Sequence, residues 1–228
     1  TYEATISLGK STHTDDKEGD LTFTADQAVV SKISDDQIKD ELAKFIGDIK
    51  QRPSSVSAIK IDGKTAHARV RAGESVEIAE REITIYELIT KDIRHTADAI
   101  EVEITVTCSA GTYIRAIARD LGDKLKIGGH LISLRRTLVS PFSIEQCQSV
   151  KHAELIPVGE VIEKLFPIRK LELSQSREIS FGRVIEQNSS EEVFAAIDNL
   201  GNFVALLQNK LQGNLVVAAP ILVSGSGQ

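Results

Sequence analysis

The sequence predicts an α+β fold: a mixed, mainly antiparallel sheet carrying helices, followed by a small β-rich module at the C-terminal end. Three observations point there. Apolar and polar residues alternate strictly in two separated runs, Tyr2, Ala4, Ile6, Leu8 and Ile100, Val102, Ile104, Val106, Cys108, as expected of strands with one buried face. The period then changes, so that Ile114, Ile117, Ala118, Leu121 and Leu125 share one helical face. Beyond Pro167, short apolar runs alternate with turn residues in the manner of a compact β module.

Each element follows from local chemistry. The opening strand leads into 8–19, rich in Thr, Asp and Gly, which reads as a loop. Ser34 with Gln37 three residues on is a capping pattern, and Ile38, Leu42, Phe45 and Ile46 follow at helical spacing, so a helix is expected over 35–46, closed by Gly47. Pro53 breaks the pattern. Residues 58–64 read as a strand entering an Asp-Gly turn, and 65–72 as a helix ended by Gly73. A strand through Ile83, Ile85, Leu88 and Ile89 is expected to pair antiparallel with 100–108. The helix near 113–125 ends at Gly128 and Gly129, and an apolar run over 131–142 carries Arg135 and Arg136 and stops at Pro141. A connecting helix over 161–165, a helix near 174–181 and strands at 193–197, 203–207 and 215–223 complete the chain. Two domains are drawn, 1–165 and 168–228.

Composition narrows the function. With 41% apolar and 26% charged residues, the chain is globular, which excludes disordered and fibrous classes. No uninterrupted apolar run approaches the ~18 residues of a spanning helix, and no basic stretch followed by an apolar core opens the chain, so no membrane association is expected, and a cytoplasmic monomer is. Cys108 and Cys147 are not at ligand spacing and are expected to be buried thiols; the five histidines are scattered. Metal sites and most hydrolase triads are thereby disfavoured. The net charge of −6 is uneven. Residues 1–50 hold 6 basic and 11 acidic side chains, whereas 108–140 hold 6 basic (Arg115, Arg119, Lys124, Lys126, Arg135, Arg136) against Asp120 and Asp123. A second basic segment runs from Arg52 to Arg71. A positive groove on an acidic body suits a phosphate-bearing partner. The sequence has no methionine and opens in mid-strand, from which an upstream segment is expected to be missing.

The segment C-S-A-G-T-Y-I-R-A-I-A-R-D-L-G (108–122), followed by G-G-H-L-I-S-L-R-R-T (128–137), resembles the central motif of pseudouridine synthases of the TruB type, the tRNA pseudouridine-55 synthases, which share its G-T-Y-I-R core and trailing L-R-R. The opening T-Y-E-A-T-I-S-L-G with T-H-T-D-D-K-E-G is similar to the family's tyrosine strand and acidic loop, and S-V-S-A-I-K-I-D-G-K to its S-A-[LI]-K block, so the resemblance spans about residues 1–145. The terminal module resembles, by position and β-rich pattern, the small PUA-like RNA-binding domain of many members.

The resemblance implies isomerisation of uridine 55 in the T arm of tRNA to pseudouridine, by an aspartate and without metal or organic cofactor. Such an enzyme must take the uridine out of the stack. Tyr2 is then the ring that stacks on the everted base and assists proton removal from C5. Arg115 is implied as the partner of the catalytic aspartate, keeping a buried carboxylate ionised. Tyr113 and Leu134 are implied as pocket walls, Asp16 as the loop aspartate that meets RNA, and Lys60, Lys64, Arg135 and Arg136 as phosphate contacts. The family's nucleophile lies in a G-x-L-D-x-x-A-T-G block upstream of the tyrosine strand, and no such block occurs in this sequence. The resulting expectation is an inactive fragment of a synthase, the alternative being a non-catalytic module that binds or folds tRNA.

Overall fold

The computed structural model describes residues 1–54, 78–189 and 192–225, together with the backbone of 60–61 and 64–65. It divides into two units, Thr1–Glu145 and Gln146–Gln228, a boundary earlier in the chain than the one drawn from sequence.

In the first unit the elements are β1 (Tyr2–Leu8), β2 (Lys10–Thr12), β3 (Leu21–Thr24), α1 (Gln27–Val30), α2 (Asp35–Ala43), β4 (Gly47–Gln51), β5 (Lys60–Ile61), β6 (Lys64–Thr65), β7 (Arg81–His95), β8 (Ile100–Cys108), α3 (Ile114–Leu125), β9 (Gly129–Arg136), β10 (Leu138–Val139) and β11 (Phe142–Ser143). Five strands form one sheet in the order β4-β7-β8-β1-β9, every pair antiparallel. This is the α+β architecture expected. Period-2 patterning decides which face is buried: Ala4, Ile6 and Leu8 of β1 lie opposite Ile104, Val102 and Ile100 of β8, and all six are in the core. Onto that face pack Ile38 and Leu42 of α2 and Ile114, Ile117 and Leu121 of α3. Each such fully buried aliphatic side chain contributes about 1.5–3 kcal/mol. The opposite face carries Glu3, Thr5, Glu101, Glu103 and Thr105.

Several elements differ from their sequence expectation. The capping box of α2 is present, with Ser34 Oγ accepting from the Gln37 amide at 3.3 Å and Gln37 Oε1 from the Ser34 amide at 2.9 Å. The helix nevertheless stops at Ala43 rather than 46, because Gly47, at φ 101°, turns the chain into β4 opposite Ile85. The expected loop over 8–19 is partly a hairpin, Lys10 pairing with Thr24 and Ser11 with Phe23. The backbones of β5 and β6 pair antiparallel; the helix expected over 65–72 lies outside the described residues. The cysteines are not buried thiols: Cys108 is half-buried and Cys147 exposed.

The second unit holds α4 (Val158–Leu165), β12 (Ile168–Lys170), α5 (Leu173–Ser180), β13 (Ile185–Glu186), β14 (Phe194–Ile197), β15 (Phe203–Gln212) and β16 (Leu215–Val223). Its sheet runs β12-β14-β15-β16-β13, parallel at β12/β14 and antiparallel elsewhere, over a core of Leu171, Ile179, Phe194, Ala205 and Leu207. The β-rich terminal module is thus present.

What seats α3 on the sheet is a contact of backbone on backbone. A Cβ at Gly122 would fall on the main chain of Gly128 and Gly129, and one at Gly129 on the Ala118 carbonyl. The helix ends where Lys126 enters the left-handed region at φ 58°, and the amides of Ile127 and Gly128 donate to the Gly122 carbonyl at 3.0 and 3.1 Å. Gly122→Ala forces these backbones apart and is expected to lower unfolding free energy by about 2–3 kcal/mol in urea denaturation. A change under about 0.5 kcal/mol would contradict this close approach.

Candidate functional site

The G-T-Y-I-R segment runs from the end of β8 into the start of α3, so that Tyr113 is the N-cap residue and Arg115 lies in the first turn. Tyr113 makes no side-chain cap. Its backbone is instead held by Gln51, the last residue of β4: the Tyr113 amide donates to Gln51 Oε1 at 2.8 Å, and Gln51 Nε2 donates to the Tyr113 carbonyl at 3.1 Å. A buried side-chain amide, 1% exposed, thereby takes the place of a neighbouring strand. The Arg81 guanidinium stands 5.8 Å from the centroid of the Tyr113 ring, within cation–π range.

Arg115 Nη2 meets Asp16 Oδ2 at 2.7 Å. The Asp16 carboxylate is fully engaged, since Oδ1 accepts from Thr14 Oγ1 at 2.6 Å and from the Glu18 amide at 3.0 Å. Asp16 also bridges to Leu131 of β9, and Thr12 Oγ1 donates to its carbonyl at 2.7 Å. The pair lines a cavity of about 150 Å³ together with Leu131, Ser133 and Leu134. Arg115 and Leu134, both assigned to the site from sequence, therefore meet at one cavity, with Asp16 as the carboxylate on the guanidinium.

The remaining candidates are distributed by strand register. Tyr2 pairs with Arg136 and Ala4 with Leu134, so all four project to one face, where half-buried Tyr2 packs against the core. Arg135 lies opposite Glu3 and projects to the other face. The two consecutive arginines thus cannot grip one phosphate run from the same side. Tyr113 and Tyr2 are not among the residues lining the Arg115 cavity. The side chains of Lys60 and Lys64 lie outside the described residues. Gln51 and Arg81 are not legible as site residues in the sequence, having no motif of their own.

One helical turn beyond Arg115, Arg119 contacts Asp120 at 2.7 Å and Asp15 at 3.4 Å. Burial pushes both carboxyls above the ordinary value of 3.8, more than Arg119 lowers them. Among the described residues no group of three or more His, Cys, Asp or Glu is placed to hold a metal ion, and no helix is long and apolar enough to cross a membrane.

Similarity to known proteins follows this geometry. The fold matches the structure of an H/ACA RNP bound to a substrate RNA containing 2'-deoxyuridine, with a TM-score of 0.62 at 16% identity over 97% of this chain; this chain covers 64% of the length of that one. The model of the TruB family pseudouridylate synthase N-terminal domain matches residues 1–114, and that of the tRNA pseudouridylate synthase B C-terminal domain matches 115–162. The tRNA pseudouridine synthase B of Corynebacterium aurimucosum is 40% identical over 92% of this chain and 71% of its own length. That of Paenarthrobacter aurescens is 40% identical over 100% of this chain and 76% of its own. The chain is therefore of the pseudouridine synthase class. It belongs to the TruB family.

These matches correct the expectation of an inactive piece without the family's N-terminal domain. The model of that domain matches residues 1–114, and similarity to the two curated synthases covers 92% and 100% of this chain and 71% and 76% of their own lengths.

Two outcomes follow from the site. Gln51→Ala leaves the half-buried Tyr113 amide without its partner, while the Tyr113 carbonyl keeps the Ala116 amide at 3.1 Å, and is expected to cost about 1–2 kcal/mol in chemical denaturation. The raised carboxyls of Asp15 and Asp120 mean that the folded state keeps protons the unfolded chain has released, so stability falls as pH climbs from 3.8 through the raised values. In Asp120→Asn, urea midpoints measured between about pH 4 and about pH 7 should fall less steeply than in the unaltered protein; an unchanged slope would refute this assignment.

Proposed function

We propose that this chain converts uridine to pseudouridine in the T arm of tRNA, in the cytoplasm, as its family membership supports. The observation that carries the reading is the Arg115–Asp16 pair at a cavity beneath the G-T-Y-I-R segment, in a chain of this family. Breaking the glycosidic bond and rejoining the base through C5 requires the nucleotide to leave the stack. Tyr2 and Leu134, on one sheet face, offer a ring and an apolar wall to an everted pyrimidine. Arg115 pairs with the Asp16 carboxylate beside that cavity, and its planar guanidinium has a fixed donor geometry that lysine lacks. Arg136, on the same face, is suited to a phosphate, and so are Lys60 and Lys64 of the second basic segment, whereas Arg135 points to the other side of the sheet. No step in this scheme is routed through a metal or organic cofactor. The block that carries the family's attacking aspartate has no match in this sequence, and neither Asp15 nor Asp16 is assigned its role.

The test is tritium release from T-arm RNA labelled at C5 of uridine. Arg115→Ala should reduce kcat by at least about 100-fold with an unchanged melting temperature, and Arg115→Lys should not restore it. Turnover of Arg115→Ala at the unaltered rate would remove the arginine from the reaction. Tight, salt-sensitive binding of T-arm RNA by the unaltered protein with no pseudouridine formed would replace catalysis by recognition alone.

A further inference from the structure

Arg115 and Arg119 are four residues apart on α3 and emerge on one side of it. They meet two consecutive carboxylates of one turn, Arg115 taking Asp16 at 2.7 Å and Arg119 taking Asp15 at 3.4 Å. Asp15 is unusual. It is 8% exposed and has φ 60°, a left-handed conformation uncommon outside glycine. Its amide donates to the Thr12 carbonyl at 3.3 Å, and its carbonyl accepts from the Leu131 amide of β9 at 3.0 Å, so its conformation fixes how the turn lies against β9. The Arg119 guanidinium serves three segments at once: Asp15 through Nη1, the Asp120 carboxylate through Nε at 2.8 Å, and the Arg52 carbonyl through Nη2 at 2.8 Å. A lysine, with one nitrogen, cannot reach in three fixed directions.

We propose that Arg119 is a positioning residue: by gripping Asp15 from α3 it sets the turn over 13–20 so that Asp16 is delivered to Arg115. The two arginines act as a pair of jaws one helical turn apart. Arg115 touches the site directly, and Arg119 reaches it only through the conformation of the turn. Arg119 also ties the end of β4, already joined to Tyr113 by Gln51, to the same helix. The consequence for RNA rests on the function proposed above; the consequence for the turn does not.

The test uses the full chain with Arg119→Ala, Arg119→Lys, Asp15→Asn and Asp16→Asn, and the double variant Arg119→Ala/Asp16→Asn. Amide hydrogen exchange at Leu131 and Gly19, which close the turn, should accelerate about tenfold or more in both Arg119 variants and in Asp15→Asn, with β8 amides unaffected. T-arm RNA affinity should weaken about tenfold in Arg119→Ala, and that loss should vanish when Asp16 is already Asn, because the effect passes through Asp16. A residue that merely supports the fold would instead give additive losses and faster exchange throughout. Unchanged exchange at Leu131 and Gly19 in Arg119→Ala, or additive losses in the double variant, overturns the proposal. Should the unaltered protein fail to bind T-arm RNA, the functional reading falls, and the exchange measurements alone still decide the jaws. Asp15→Asn, which preserves shape, stands in if Arg119→Ala does not fold.

Discussion

The site depends on how deeply one helix sits on one sheet. Gly122 in α3 and Gly129 in β9 let two backbones touch where any side chain would hold them apart. That approach fixes the height of α3 over the sheet, and Arg115, two turns earlier, inherits its position from it. The left-handed residue Lys126 then returns the chain into β9 within a few residues, so helix and strand form a rigid corner around Ala118, Leu121 and Leu131. The polar contacts come second in order of cause. Asp16 finds Arg115 because the corner already holds the guanidinium in place.

Much of this is readable from the sequence, and for definite reasons. Strands β1 and β8 follow from alternation, α2 from Ser34 and Gln37, and α3 from its apolar face, each a signal carried within about ten residues. What stays hidden is non-local. Gln51 lies 62 residues from the Tyr113 backbone it holds, and Asp15 104 residues from Arg119, and nothing near either residue announces its partner. The early stop of α2 is masked because helical spacing continues to Ile46, while the pairing of Gly47 with Ile85 overrides it. The hairpin of β2 and β3 is masked because runs of three and four residues are too short to show a period.

For the site itself, the motif carries Arg115 and Leu134 to one cavity, and strand parity separates Arg135 from Arg136. Parity is available from sequence, since neighbours in a strand always diverge, yet a count of charges alone groups the two as one basic unit. The expectation that the family's N-terminal domain is lacking fails on a larger scale, because a single unmatched block samples one point of the sequence whereas the model of that domain matches residues 1–114 as a whole.

The face of the sheet turned away from α3 has its own consequence. Glu3, Glu101 and Glu103 lie there, with Glu87 opposite Thr107 and Asp92 opposite Glu103, and the cations that strand register sets among them include Arg94, itself 2.7 Å from Glu103, Arg135 opposite Glu3 and Lys50 opposite Glu82. A polyanion drifting towards this side meets repulsion before any contact forms, with a range set by the Debye length of roughly 8 Å in physiological salt. By charge alone this face is biased against a polyanion before shape is tested.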